Sequence, residues 1–262
     1  MKKITPSEYY KLVRKHKNEF EKIKKANQAK IYKILSSKNK KIIEYPEYKD
    51  AFDYVEKKYP GLNVLSVKIF EVPKEELEDI GFGGAGGLYV FSQKKVIVSD
   101  KPSGTFDKNT ISARLSKDEV IVHELLHYVS HKFSKSNSLI MEEEFAYGNS
   151  VPYLISKGFT DEDIIKHNML PFLYGIIDTN GVLKEVLLGK GITKAQFNSL
   201  LRNYNKDREN KKYKEAVSDI YKELHEKTMS KALEAGQFLV DKYRDLPDGE
   251  VNDESDYDHI DI

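Results

Sequence analysis

The sequence predicts an α+β chain, with a small sheet in its first half and a mainly helical second half. Three observations carry that expectation. Over residues 62 to 72 the apolar residues of "LNVLSVKIFEV" alternate, the period of a strand with one buried face. From residue 160 onward the pattern is helical throughout. Between these regions lies "VIVHELLHYVSH", residues 120 to 131, apolar on most sides, as a central, buried helix requires.

The first 60 residues are Lys-rich and mostly helix-like. Tyr10, Leu12, Val13, Phe20, Ile23, Ile31 and Ile34 recur at roughly helical spacing, which suggests an amphipathic helix docked on a core. Acids are interleaved with the lysines, so the charged side reads as a solvated face and no nucleic-acid partner is expected. A second helix is expected over about 48 to 59, stopped by Pro60-Gly61. After the strand in "LNVLSVKIFEV", the glycine-rich "GFGGAGG" leads into "LYVF" and "KVIVSD", which together suggest a β-hairpin. Gly81, Gly83 and Gly86 formally match GxGxxG. A dinucleotide site would need those glycines to open a helix, and here they lead into a strand. The reading is a loop.

Ser116 and Glu119 have capping-box spacing ahead of an apolar run, predicting a helix over about 117 to 133. A short helix around "LIMEEEFAYG" is expected to stop near Gly148 and Pro152. Thr160 with Asp163, and Thr193 with Gln196, are further capping-box pairs. The organisation expected is thus a helical N-terminal segment over 1–60, a sheet-and-helix region over 61–158 and a helical subdomain over 159–246. The acidic stretch over 247–262 is expected to be a disordered tail.

Composition narrows the chemistry. The chain has 262 residues, 39% hydrophobic and 32% charged, with a formal net charge of only +1. That balance gives no overall drive toward nucleic acid or anionic membrane. It contains no cysteine, which excludes disulfides, thiolate metal sites and a cysteine nucleophile. "MKKITPSEYYKLVRKHK" lacks the apolar core of a signal peptide, and no stretch approaches the roughly 20 apolar residues of a membrane span. A cytoplasmic protein with no membrane partner is the expectation.

Within the central helix, His123 and His127 are one turn apart, so both imidazoles leave the same face and can converge on one ion. Zinc suits neutral imidazole, and a catalytic zinc site leaves one position to water. Glu124 stands beside the first histidine, where a carboxylate can take that water's proton. Two imidazoles and a carboxylate in so apolar a helix are costly unless something satisfies them.

His131 continues the four-residue spacing, but eight residues of helix rise about 12 Å and zinc–nitrogen bonds are only about 2 Å. It is expected at the surface or behind a ligand. Position 133, where an extended HExxHxxGxxH motif would place a third histidine, is Phe133. "MEEEFAYG" offers a better third ligand. On a helix Leu139, Ile140, Glu143, Ala146 and Tyr147 share a face, so Glu143 is a carboxylate on a largely apolar surface. Glu144 also has apolar neighbours and is the fallback; Glu142 is the wettest of the three.

These motifs resemble the zincin metallopeptidases of the gluzincin type, over roughly residues 60 to 150. In that family an HExxH helix supplies two histidines and a downstream helix supplies a glutamate, often as Glu-x-Phe-Ala. Glu143-Glu144-Phe145-Ala146 has that form. The resemblance implies one zinc per chain on His123, His127 and Glu143, with Glu124 as base for hydrolysis of a protein or peptide substrate. It further implies a small twisted sheet on the active-site helix, whose edge strand before that helix pairs with extended peptide, and a helical subdomain closing the cleft. Its oxyanion donor would come from the C-terminal half, where His225, Tyr221, His167 and Tyr147 are available. The competing expectation is a catalytically inactive interaction protein of the same fold. The intact His123, Glu124 and His127 argue against it.

Overall fold

The computed structural model describes residues 29–36, 38, 40–79, 86–101, 113–133 and 139–248, with backbone only at 113–116, 139–141 and 171. The chain mixes α and β structure, is mostly helical, and carries one four-stranded sheet. It divides into two compact units, Met1–Val129 and Ser130–Ile262. Most of the N-terminal segment, the glycines at 81, 83, 84 and the acidic tail from 249 lie outside the described residues.

In the first unit, helix α1 (residues 29–36) precedes β1 (Lys41–Ile43), α2 (Lys49–Lys58), β2 (Lys68–Val72), α3 (Lys74–Asp79), β3 (Gly87–Val90) and β4 (Lys95–Ser99). The sheet order is β1-β2-β4-β3. β2 and β4 run parallel in the centre, and the two edge strands are antiparallel to their neighbours. The expected hairpin is present, with Gly87 opposite Val98 and Val90 opposite Lys95. Its turn is closed by Lys94 in the left-handed region, φ 51°. The expected strand in "LNVLSVKIFEV" is confined to its second half, because Val64–Ser66 form a 3-10 turn. β1 was not foreseen. Its three residues are too few for a periodic signal and are held by pairing Ile42 with Phe70 and Ile43 with Ile69.

Both faces of the sheet are covered. Ile34 and Leu35 of α1 and Leu77 of α3 join Phe70, Val72, Val90 and Ile97 in one apolar cluster. The opposite face, bearing Glu71, Gly87 and Tyr89, receives helix α4 (Ala113–Phe133). Three contacts along α4 set its position. Lys117 pairs with Glu71 of β2. Val120 and Glu124 lie over Gly87. The Tyr128 ring meets that of Tyr89 edge-on at 6.1 Å, while its hydroxyl donates to the Leu62 carbonyl at 2.8 Å.

α4 starts four residues before the expected position. Ser116 is therefore inside the first turns and the proposed capping box with Glu119 is not the start of this helix. Glu119 is instead buried. The capping boxes at Thr160/Asp163 and Thr193/Gln196 are both formed, with each side chain bonded to the other's backbone.

The second unit is helical throughout its described residues: α5 (Leu139–Ser156), α6 (Asp161–Asp163), a π-helical segment (Ile164–Met169), α7 (Leu170–Ile176), α8 (Thr179–Gly189), α9 (Lys194–Lys206) and α10 (Lys211–Arg244). The 34-residue α10 is its spine, contacting α5, the π segment, α7, α8 and α9. Contrary to the sequence expectation, α5 runs through Gly148 and Pro152. Proline lacks the N–H that would bond back to position 148, so a local stop is a reasonable reading. Tertiary contact overrides it: the Tyr243 ring of α10 lies where a side chain at 148 would be, 2.5 Å from the position of a Cβ. A glycine there lets the two helices meet, and continued helix keeps that contact.

Candidate metal centre

α4 is anchored by Ile121, Val122, Leu125, Leu126 and Val129, all fully buried. Those positions leave the 123/127 face for the polar groups. His127 is buried and His123 half-buried. Their Nε2 atoms are 3.1 Å apart, with the rings nearly perpendicular at 85°. Two nitrogens on one tetrahedral zinc, each about 2.0–2.1 Å from it, would be roughly 3.3 Å apart. The spacing fits a shared ion.

One ligand atom each from His123, His127 and Glu143 all lie within 4.8 Å of one another. Two imidazoles and a carboxylate are a donor set that suits zinc and leaves a fourth position free. Of the three consecutive glutamates, Glu143 is the one brought to the histidines. Glu144 is buried and its carboxylate lies 3.6 Å from Lys242 of α10. Burial raises the Glu144 pKa, opposed by the nearby Lys242 charge. Glu142 is half-buried. His131, the tempting third histidine, is exposed.

Glu124 follows His123 and is buried, with 6% of its surface accessible. It is outside the three-residue ligand group, the position from which a carboxylate can transfer a proton without holding the metal. The candidate oxyanion donors occupy different surroundings. Tyr147 stacks on Phe172 at 5.3 Å, and His225 stacks on Tyr174 at 6.2 Å in an exposed position. Tyr221 is exposed beside Phe197, and His167 sits in the π-helical segment. None of them is distinguished by these contacts.

Sequence reasoning missed Glu119 as a site-adjacent group, because a Ser-x-x-Glu pattern ahead of an apolar run looks like a helix start. It is one turn before His123 on α4. Desolvation pushes its carboxyl from an ordinary 4.5 up to about 8, with the His123 charge acting in the opposite direction. An acid whose pKa is raised on folding holds its proton more tightly when folded. Its contribution to stability is therefore fully present below about pH 4.5 and is lost as the pH rises through about 8. In metal-free protein, Glu119→Gln is thus expected to raise stability at pH 8, by up to about 4 kcal/mol, and to change little at pH 4. Urea unfolding of both proteins at the two pH values measures this. A difference that does not depend on pH would show that the carboxyl's charge is not what matters.

No protein-family model, no curated protein and no solved structure matches this chain. Among the described residues, no helix is long and apolar enough to cross a membrane.

Proposed function

We propose that this chain is a zinc-dependent metallopeptidase of the gluzincin type that hydrolyses peptide bonds of a protein or peptide substrate. The observation that carries the reading is the convergence of His123, His127 and Glu143 with the buried carboxylate of Glu124 adjacent in sequence and outside the ligand set. The two-helix origin of the ligands, α4 and α5, and the edge strand β3 beside α4 are in keeping with the zincin arrangement.

His123, His127 and Glu143 would hold the metal through two ring nitrogens and one carboxylate oxygen. Bound there, zinc supplies a Lewis acid that polarises the scissile carbonyl and lowers the pKa of a water toward about 7. Glu124 accepts the proton of the attacking water on a carboxylate oxygen and passes it to the nitrogen of the leaving amine. Burial of Glu124 and His127 keeps competing solvent away from that transfer. The outer edge of β3, the last strand in the sheet order, offers an extended peptide a strand to pair with.

The test is elemental analysis of protein purified without chelator. About one zinc per chain is expected, released as the pH falls and the imidazoles protonate. Protein that carries no metal and takes up none from added zinc would overturn the reading. So would stoichiometric iron in place of zinc, since two histidines and one carboxylate also suit ferrous chemistry.

A further inference from the structure

The last glycine of "GFGGAGG" has a role that the hairpin alone does not require. Gly87 is the first residue of β3 and sits opposite Val98 in the ladder. The adjacent Gly86 carbonyl accepts the Ser99 N–H at 2.9 Å, so this part of the backbone is fixed to β4. A methyl group at position 87 would lie 2.7 Å from Val120 Cγ1, 2.9 Å from Glu124 Cγ and 3.0 Å from Glu124 Oε1. The first two are closer than real Cβ contacts allow and the third is tighter than nearly all of them, and Gly87 itself is buried.

We infer that Gly87 is a positioning residue for Glu124: its bare backbone is the wall against which the carboxyl side chain of the base is held. The inference rests on the metallopeptidase reading, because it gives Glu124 a specific geometry to keep. The physical argument is about which neighbour can yield. The β3 backbone is tied by its ladder to β4. Val120 is β-branched, and in a helix it has one strongly preferred rotamer. Glu124 is unbranched and can rotate about its side-chain bonds. A Cβ at 87 is therefore accommodated mainly by turning Glu124 out of its present rotamer. A glycine in a strand is one way to let another group approach the backbone closely. Here that group is the proposed base.

The test uses the full chain loaded with cobalt(II), whose visible absorption reports ligands at the metal. Acetohydroxamate is the probe, since its proton is one that a carboxylate beside the metal accepts in a hydrogen bond. The proteins compared are wild type, Glu124→Gln, Gly87→Ala and the double variant Gly87→Ala/Val120→Ala. Glu124→Gln is expected to weaken acetohydroxamate roughly tenfold, the loss of one hydrogen bond to a charged group. Gly87→Ala is expected to weaken it to a similar degree while binding cobalt as tightly as wild type. In the double variant the clash with Val120 is gone, so thermal stability recovers but acetohydroxamate affinity does not.

Acetohydroxamate binding as tight as wild type in Gly87→Ala or in the double variant overturns the inference and leaves only a packing role. If Gly87→Ala fails to fold, the double variant decides the matter by the same measurement. A double variant that also fails to fold shows that position 87 serves the sheet, which again overturns it. Unchanged affinity in Glu124→Gln removes both the acceptor and the reason for its wall. Wild-type protein that binds no cobalt sinks the metallopeptidase reading itself, a result distinct from all of these.

Discussion

Glu143→Ala is expected to lose zinc, with affinity falling by more than the roughly 10- to 100-fold that follows loss of a group behind a ligand. The expectation comes from the geometry of three adjacent carboxylates. Successive residues on a helix point about 100° apart, so a site that takes one of them turns the others elsewhere. Glu143 reaches the histidine pair. Glu144 lies beside Lys242 of α10, and Glu142 is outside the group formed with the histidines.

Glu142→Ala is accordingly expected to bind zinc as wild type does, because Glu142 is outside the ligand group. Glu144→Ala is expected to lower stability, since the half-buried Lys242 ammonium loses that carboxylate, while keeping the metal within about tenfold of wild-type affinity. Competition titration of the three single variants against a chromophoric chelator measures all of this at once. Loss of metal in Glu144→Ala with retention in Glu143→Ala would exchange the two roles. Retention in all three would remove the downstream glutamate from the site.

Glu124→Gln is expected to separate binding from chemistry. The amide has nearly the same shape, so zinc content and thermal stability are expected to stay at wild-type values. Hydrolysis of unfolded casein, used as a generic protein substrate, is expected to fall by about 10³-fold, in the range typical for removal of a general base. The amide nitrogen carries protons and cannot accept the one from water. Activity equal to wild type in this variant would exclude Glu124 as the base, whatever the metal content.

Much of the fold was legible locally. The β3–β4 hairpin has short apolar runs on either side of a short polar turn, and that pattern is a property of adjacent residues. Helix α4 announces itself in the same way, through Ile121, Val122, Leu125, Leu126 and Val129. What could not be read were the elements maintained by distant partners. β1 exists because "KII" pairs with β2. α5 passes Gly148 and Pro152 because Tyr243, nearly a hundred residues later in the chain, fills the space beside Gly148. Ser116 and Glu119 carry a helix-start signature, yet α4 begins at Ala113 and Glu119 is drawn into the interior.

The sequence by itself determined that His123 and His127 share one helical face. Four residues are close to one turn of 3.6, and no tertiary information is needed to bring two such imidazoles together. It also determined that His131 could not join them, because rise along a helix axis is a local quantity. The sequence favoured Glu143 over Glu144 without separating them fully, and the tertiary structure groups Glu143 with the two histidines. Both have apolar neighbours in sequence, and the phase of a helix about its own axis is set by what it packs against. For α5 that neighbour is α10, where Lys242 lies beside Glu144. The close passage of Gly87 over Glu124 is of the same kind. A glycine in a sequence shows only that a side chain is missing, and the identity of the group occupying its place is a fact of packing between a strand and a helix.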